Sequence, residues 1–223
     1  MTRDRQPDSF LEKRVVQYDR WLQKKQISFS SRVIPVSESL DARQWVLPTG
    51  HAMHIIDSAR SIAVQNCICR THYRRCDHPR DVCLLLDAVA DAFVAKKKAR
   101  KVTMRSAIEI LKKASQSGLV HLALYRPEHE IFALCSCCSC CCHDLQIVRR
   151  YHRKDLMVRS DYIAVTLADQ CIGCGECVDR CIFDARIVKD GQLEFTPDAC
   201  LGCGLCVTVC PVKAISMVPW PSS

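Results

Sequence analysis

Two cysteine runs near the end of the chain repeat in register: Cys171-x-x-Cys174-x-x-Cys177-x-x-x-Cys181 and, 29 positions on, Cys200-x-x-Cys203-x-x-Cys206-x-x-x-Cys210-Pro211. Three thiolates at this spacing can wrap one loop around three corners of an iron–sulfur cubane, whose fourth corner takes a thiolate from elsewhere. Glycines at 173, 175, 202 and 204 let the backbone approach such a group closely. Ile172, Val178, Leu201, Leu205 and Val207 are expected to keep water from it. A zinc ribbon or a disulfide scaffold would explain single CxxC pairs, but not a third and fourth cysteine repeated in order. The GxG triplets are not dinucleotide loops, since no GxGxxG follows a strand.

In order and spacing the runs resemble the bacterial two-[4Fe–4S] ferredoxins, over residues 160–218. In that family the fourth cysteine of each run ligates the other cluster. The resemblance implies that Cys171, Cys174, Cys177 and Cys210 hold one [4Fe–4S] cluster and that Cys200, Cys203, Cys206 and Cys181 hold the other. It further implies a small α+β module of two βαβ halves related by a pseudo-twofold. The family has proline after both fourth cysteines; here the first run carries Ile182 instead, which supplies no ligand.

Ten more cysteines lie upstream: Cys67, Cys69, Cys76 and Cys83, then Cys135, Cys137, Cys138, Cys140, Cys141 and Cys142, followed by His143. They suffice for one or two further iron–sulfur clusters, with zinc or reactive thiols as alternatives. Adjacent side chains of an extended segment point to opposite faces, so the 135–142 run cannot turn all its thiols to one cluster, and a partner loop must contribute. Asn66-Cys67-x-Cys69-Arg70 followed by a CCxCCC stretch also resembles a cysteine-rich module of some ferredoxin-fused proteins, which supplies no established reaction.

The elements that must position these thiols follow from pattern. Phe10, Leu11, Val15, Tyr18, Trp21 and Leu22 predict an amphipathic helix over 8–26. Arg32–Val36 reads as extended, 48–50 as a turn, and 51–64 as a helix carrying His51 and His54, which are taken as surface or capped histidines. An apolar helix is expected over 81–98, and another from an N-cap at Thr103 to Ser117, stopped by Gly118. Strands are expected over 161–167 and 214–218, paired with each other, and a hairpin turning at Asp190-Gly191 over 187–195. The fold class is α+β: a mainly helical cysteine-rich domain over 1–150, a basic linker over 151–160, and the two-cluster module over 161–223.

The formal charge is +8. From Asp161 onward eight acids against four bases leave −4, so the preceding residues carry +12. Two clusters at −2 each would bring the total to about +4. Lys96–Lys101 and Arg149–Lys154 are basic runs that suit solvated loops, docking to an acidic redox partner, or phosphate binding. The first 60 residues lack an apolar segment and no run has a membrane span's length, so a soluble, unexported, cytoplasmic chain is expected. In such a compartment 18 cysteines argue for metal ligation over disulfides. No catalytic triad, phosphate loop or carboxylate pair is present. The expectation is an electron-transfer protein or oxidoreductase subunit serving a redox partner protein or larger complex, rather than a stand-alone enzyme or a nucleic-acid binder. The alternative functions are a small iron–sulfur or thiol reductase and an iron–sulfur sensor that binds nucleic acid.

Overall fold

The computed structural model describes residues 8–40 and 52–220. The first helix, α1 (Ser9–Gln23), begins where the Asp8 carboxylate accepts hydrogen bonds from the Phe10 and Leu11 amides, both at 3.2 Å. It is followed by strand β1 (Ser31–Ile34). The segment expected as one helix over 51–64 is instead α2 (Ala52–Ser58), which carries His54, and strand β2 (Ile62–Gln65). His51 and the turn expected at 48–50 lie outside the described residues.

After a short helix α3 (Ile68–Tyr73), the stretch expected as a helix over 81–98 also divides, into strand β3 (Cys83–Leu86) and helix α4 (Asp87–Ala95). All four residues of β3 are buried. Such short apolar runs fit a buried strand or a buried helix equally well by pattern, and pairing with neighbours decides. β4 (Arg100–Lys101) precedes α5 (Met104–Gln116), whose N-cap is Thr103 as expected, its hydroxyl accepting from the Ser106 amide at 3.2 Å. Gly118 ends the turn beyond it at φ +76°.

β5 (Val120–Arg126), β6 (Glu130–Cys137), helix α6 (His143–Tyr151) and β7 (Met157–Val158) complete a seven-stranded sheet in the order β4-β2-β3-β6-β5-β1-β7. Neighbours are antiparallel except β1 and β7, which run parallel with Ser31 opposite Met157. The cysteine-rich portion is thus built on a sheet, which corrects the expectation of a mainly helical domain. α2 and α5 cover one face, Ile55, Ile56 and Leu111 packing on Ile62, Val64, Leu84 and Leu134. On the opposite face Ala63, Leu85 and Ala133 meet Ala90 of α4, and Val33, Leu122 and Cys137 meet Leu145 of α6. Strand alternation places Cys83, Cys135 and Cys137 on this second face.

Beyond β7, β8 (Tyr162–Thr166) pairs with the last strand, Ile215–Pro219, as the sequence predicts, Thr166 facing Ile215. Between them come α7 (Glu176–Asp179), the hairpin of β9 (Arg186–Lys189) and β10 (Gln192–Phe195), and α8 (Leu205–Val209); the last strand is β11. The two cysteine runs repeat in backbone as well as in sequence. Gly175 and Gly204, at φ +80° and +78°, cap α7 and α8. After each fourth cysteine the chain makes the same turn, Asp184 N–H to Cys181 O and Lys213 N–H to Cys210 O. Ile182 therefore occupies its turn as Pro211 does.

The second run lies against the sheet portion: the Val36 amide donates to Cys203 O at 2.9 Å, and the Ser160 hydroxyl to Gly202 O at 2.8 Å. A Cβ on Gly202, which has φ +70°, would collide with Tyr162 O and Ser160 Oγ. Gly202→Ala is therefore expected to cost about 1–3 kcal/mol, read as a lowered denaturation midpoint under anaerobic conditions.

Candidate metal centres

The two runs bring their cysteines together in crossed sets. Cys171, Cys174 and Cys177 line one cavity together with Cys210 of the other run. Cys203, in turn, has Cys206, Cys181 and Cys200 as its charged neighbours. The two sets differ in environment. In the first set Cys174 is exposed, Cys171 and Cys210 are half-buried and Cys177 is buried, whereas in the second Cys200, Cys203 and Cys206 are buried and Cys181 is half-buried. Ile172, expected to exclude water, is 64% exposed, while Leu205 is fully buried. The rim of the first set therefore faces solvent and the second set faces the sheet. Burial pushes the thiols of Cys177 and Cys203 up, and that of Cys206 up to about 11.

Arg186, which no sequence motif marks, is buried beside both sets. Its guanidinium donates to Ala164 O at 3.0 Å and to Thr166 Oγ1 at 2.6 Å, and its charge favours the thiolates of Cys177 and Cys206. A buried cation flanked by thiol sets suits anionic metal–thiolate groups.

The ten upstream thiols sort into two groups. Six of them close a ring of sulfur contacts, Cys67–Cys69–Cys142–Cys137–Cys135–Cys83 and back to Cys67. β3 and β6 supply Cys83, Cys135 and Cys137 from one sheet face, the start of α3 supplies Cys67 and Cys69, and the residue before α6 supplies Cys142. All six line one cavity of about 90 Å³. Each sulfur interacts with its two neighbours through shared-proton contacts, so the six thiols titrate as one set. Those contacts hold Cys67, Cys135 and Cys142 low and push Cys69, Cys83 and Cys137 up.

The same cavity carries a polar wall that the sequence did not mark. His143 Nδ1 lies 2.9 Å from Cys69 Sγ, and His143 Nε2 lies 3.5 Å from Asp144 Oδ2. The Tyr18 hydroxyl donates to Asp144 Oδ1 at 2.8 Å, and burial raises that carboxyl. Adjacent His-Asp after a cysteine run was the available signal, but nothing placed Tyr18, 126 residues earlier, beside it.

The second group, Cys76, Cys138, Cys140 and Cys141, gathers its four sulfurs within 4.8 Å of one another. Arg70 stands between the groups. It is 1% exposed, donates to Ser136 O at 2.9 Å, lies 3.7 Å from Cys138 Sγ, and has Cys67 and Cys83 as charged neighbours. Among the described residues its Nε and Nη2 have no hydrogen-bond partner. Orphaned donors on a buried cation among thiols fit a sulfur-rich anionic occupant of the ring, since buried donors otherwise find acceptors. The residues present thus fit metal–thiolate groups at each gathering.

Three residues of the basic run at 149–154 pair within the chain: Arg149 with Asp184, Arg150 with Asp8, and Arg153 with Asp19 and Asp155. The described helices include none long and apolar enough to cross a membrane.

No curated protein matches the chain. Residues 164–217, about a quarter of its length, match the family model of the 4Fe-4S dicluster domain. The span holds both cysteine runs and parts of the two strands that bracket them, so this C-terminal segment is a 4Fe-4S dicluster domain, and its chemistry is iron–sulfur electron transfer.

Proposed function

We propose that the chain is an electron-transfer protein that relays single electrons between a partner oxidoreductase at the Cys174 rim and a metal–thiolate centre in the six-thiol ring. Cys171, Cys174, Cys177 and Cys210 hold one [4Fe–4S] cluster in this reading, and Cys200, Cys203, Cys206 and Cys181 the other. When bound, these clusters supply one-electron redox chemistry. The single observation that carries the reading is the gradient of burial from the exposed Cys174 to the buried Cys203. Cys203 shares an apolar cluster with Cys137 and Cys142 of the ring.

The residues divide the work. Ile172 and the half-buried Cys171 present a surface on which a partner can approach closely. Leu205, Val33, Leu122 and Leu145 share the buried apolar cluster that holds Cys203, Cys137 and Cys142, and so exclude water from it. Arg186 and Arg70 favour the thiolate state on either side of that layer. Acidic residues around the dicluster domain favour a basic partner surface and salt-sensitive association.

Anaerobically purified full-length protein is expected to hold more than the roughly 8 iron atoms of two cubanes. Dithionite reduction should give EPR signals from at least three interacting centres. Eight irons and two centres would remove the ring from the relay and leave a two-cluster carrier.

One observation favours a second reading, a small reductase acting at the ring: the Cys69–His143–Asp144 succession borders a cavity of about 90 Å³. A nucleophile, a base and an orienting carboxylate in line are the elements of thiol activation. Rapid alkylation of Cys69 in the metal-loaded protein would favour this reading over the relay, and protection of Cys69 would exclude it.

A further inference from the structure

We infer that Cys76, Cys138, Cys140 and Cys141 bind a single zinc ion, so that the ten upstream thiols form two sites of different chemistry. The inference stands on sulfur geometry and does not depend on the electron-relay reading. Four ligands at a zinc–sulfur distance near 2.3 Å in a tetrahedron stand about 3.8 Å from one another. Cys76 Sγ lies 3.8 Å from Cys138 Sγ and 3.9 Å from Cys141 Sγ, and the four sulfurs all lie within 4.8 Å of one another.

A cubane spreads its ligands further, because each thiolate binds a different iron at an outward-pointing corner. The chain supplies its own comparison. Among the described residues no other set of three or more cysteine, histidine or acidic ligand atoms is gathered so tightly, neither the dicluster cysteines nor the ring. Four sulfurs sit at single-ion spacing, and the other fourteen, eight of them in the dicluster runs, do not.

The local backbone agrees. Cys138 and Cys141 form a CxxC turn, closed by the Cys142 amide donating to Cys138 O at 3.1 Å. An ion with four thiolates carries −2, and Arg70 lies 3.7 Å from Cys138 Sγ while the Arg75 guanidinium binds Cys140 O at 3.2 Å. Four thiolates with no open position make a structural site, and zinc, which has no redox chemistry, is the ion such sites take. Its effect here is mechanical. It ties the loop after α3 to the loop before α6 and so holds Cys67 and Cys69 against Cys135, Cys137 and Cys142.

The test is zinc and iron content of the anaerobically purified full-length protein, together with zinc K-edge absorption. One zinc per chain in a single shell of four sulfurs at about 2.3 Å is expected. Cys140→His should keep the zinc, since three thiolates and an imidazole also satisfy it, whereas Cys140→Ser should release it to a chelator at least tenfold faster. Absence of stoichiometric zinc from the wild-type protein would overturn the inference. So would a single iron in its place, or a loss of about four irons with their sulfide in Cys140→Ser. If instead the relay reading fails, iron falls to about eight per chain while zinc stays at one.

Discussion

Cys203→Ser is expected to unfold the dicluster domain and loosen the sheet that abuts it, lowering stability by more than about 4 kcal/mol. A segment as short as 164–217 buries little apolar core of its own, so the free energy of metal binding is largely its folding free energy. Cys203 adds a second liability. It is buried within an apolar cluster made with Val33, Val36, Leu122 and Leu145, and its carbonyl accepts the Val36 amide. Losing the cluster there releases a surface that both halves of the molecule share. Cys174→Ser removes a ligand at the exposed rim, where no such packing is lost, and is expected to lower stability less while still reducing iron content. The two variants should be compared by thermal unfolding and iron analysis under anaerobic conditions. Equal shifts in the melting temperature would contradict the burial gradient on which the proposed relay rests.

That gradient is a property of the fold that spacing alone could not supply. The two runs, the β8–β11 pairing and the β9–β10 hairpin were legible in the sequence because each carries a strong local signal: the CxxCxxC register, the aromatic and β-branched stretch Tyr162–Thr166, the Asp190-Gly191 turn. α1 was legible from the helical spacing of Phe10, Leu11, Val15, Tyr18 and Leu22, and α5 from its Thr103 cap and Gly118 stop. The sheet was not. Ile62-Ala63-Val64 and Cys83–Leu86 are too short and too uniformly apolar to declare a period, and their strand state depends on partners up to fifty residues away, Leu84 facing Leu134.

The same reason hid the partition of the upstream thiols. Alternation along the 135–142 run correctly required a partner loop, and Cys135 and Cys137 do share a face. Which of the remaining cysteines join them depends on where α3 lies against that strand. Cys138, Cys140 and Cys141 follow the end of β6 and turn away to meet Cys76, while Cys142 returns to the ring at the start of α6. Arg70 was visible as the last letter of the Asn66–Arg70 stretch, but its place between two thiol groups is a consequence of that packing.

Arg70→Met is expected to deplete the ring of metal and to cost about 3–5 kcal/mol, because it removes the buried cation that the thiolates face while nearly preserving side-chain volume. Burial opposes the charge on Arg70, but the thiolates of Cys67 and Cys138 more than offset that and keep the guanidinium firmly protonated. Without it, Ser136 O loses its donor and two anionic groups confront each other across an apolar gap. Arg70→Lys restores the charge without the fork of donors, and should recover most of the stability but not the unpaired donors of Nε and Nη2. If the ring holds a redox centre, a positive charge beside it favours the reduced, more negative state. Arg70→Met should then lower that centre's potential by something on the order of 100 mV, with the dicluster signals unmoved. A variant that keeps its metal content and its potentials would reduce Arg70 to a packing residue and the ring to a set of buried thiols. Loss of metal in Met, partial recovery in Lys and an unshifted dicluster signal would together identify Arg70 as the counter-charge of a separate upstream centre.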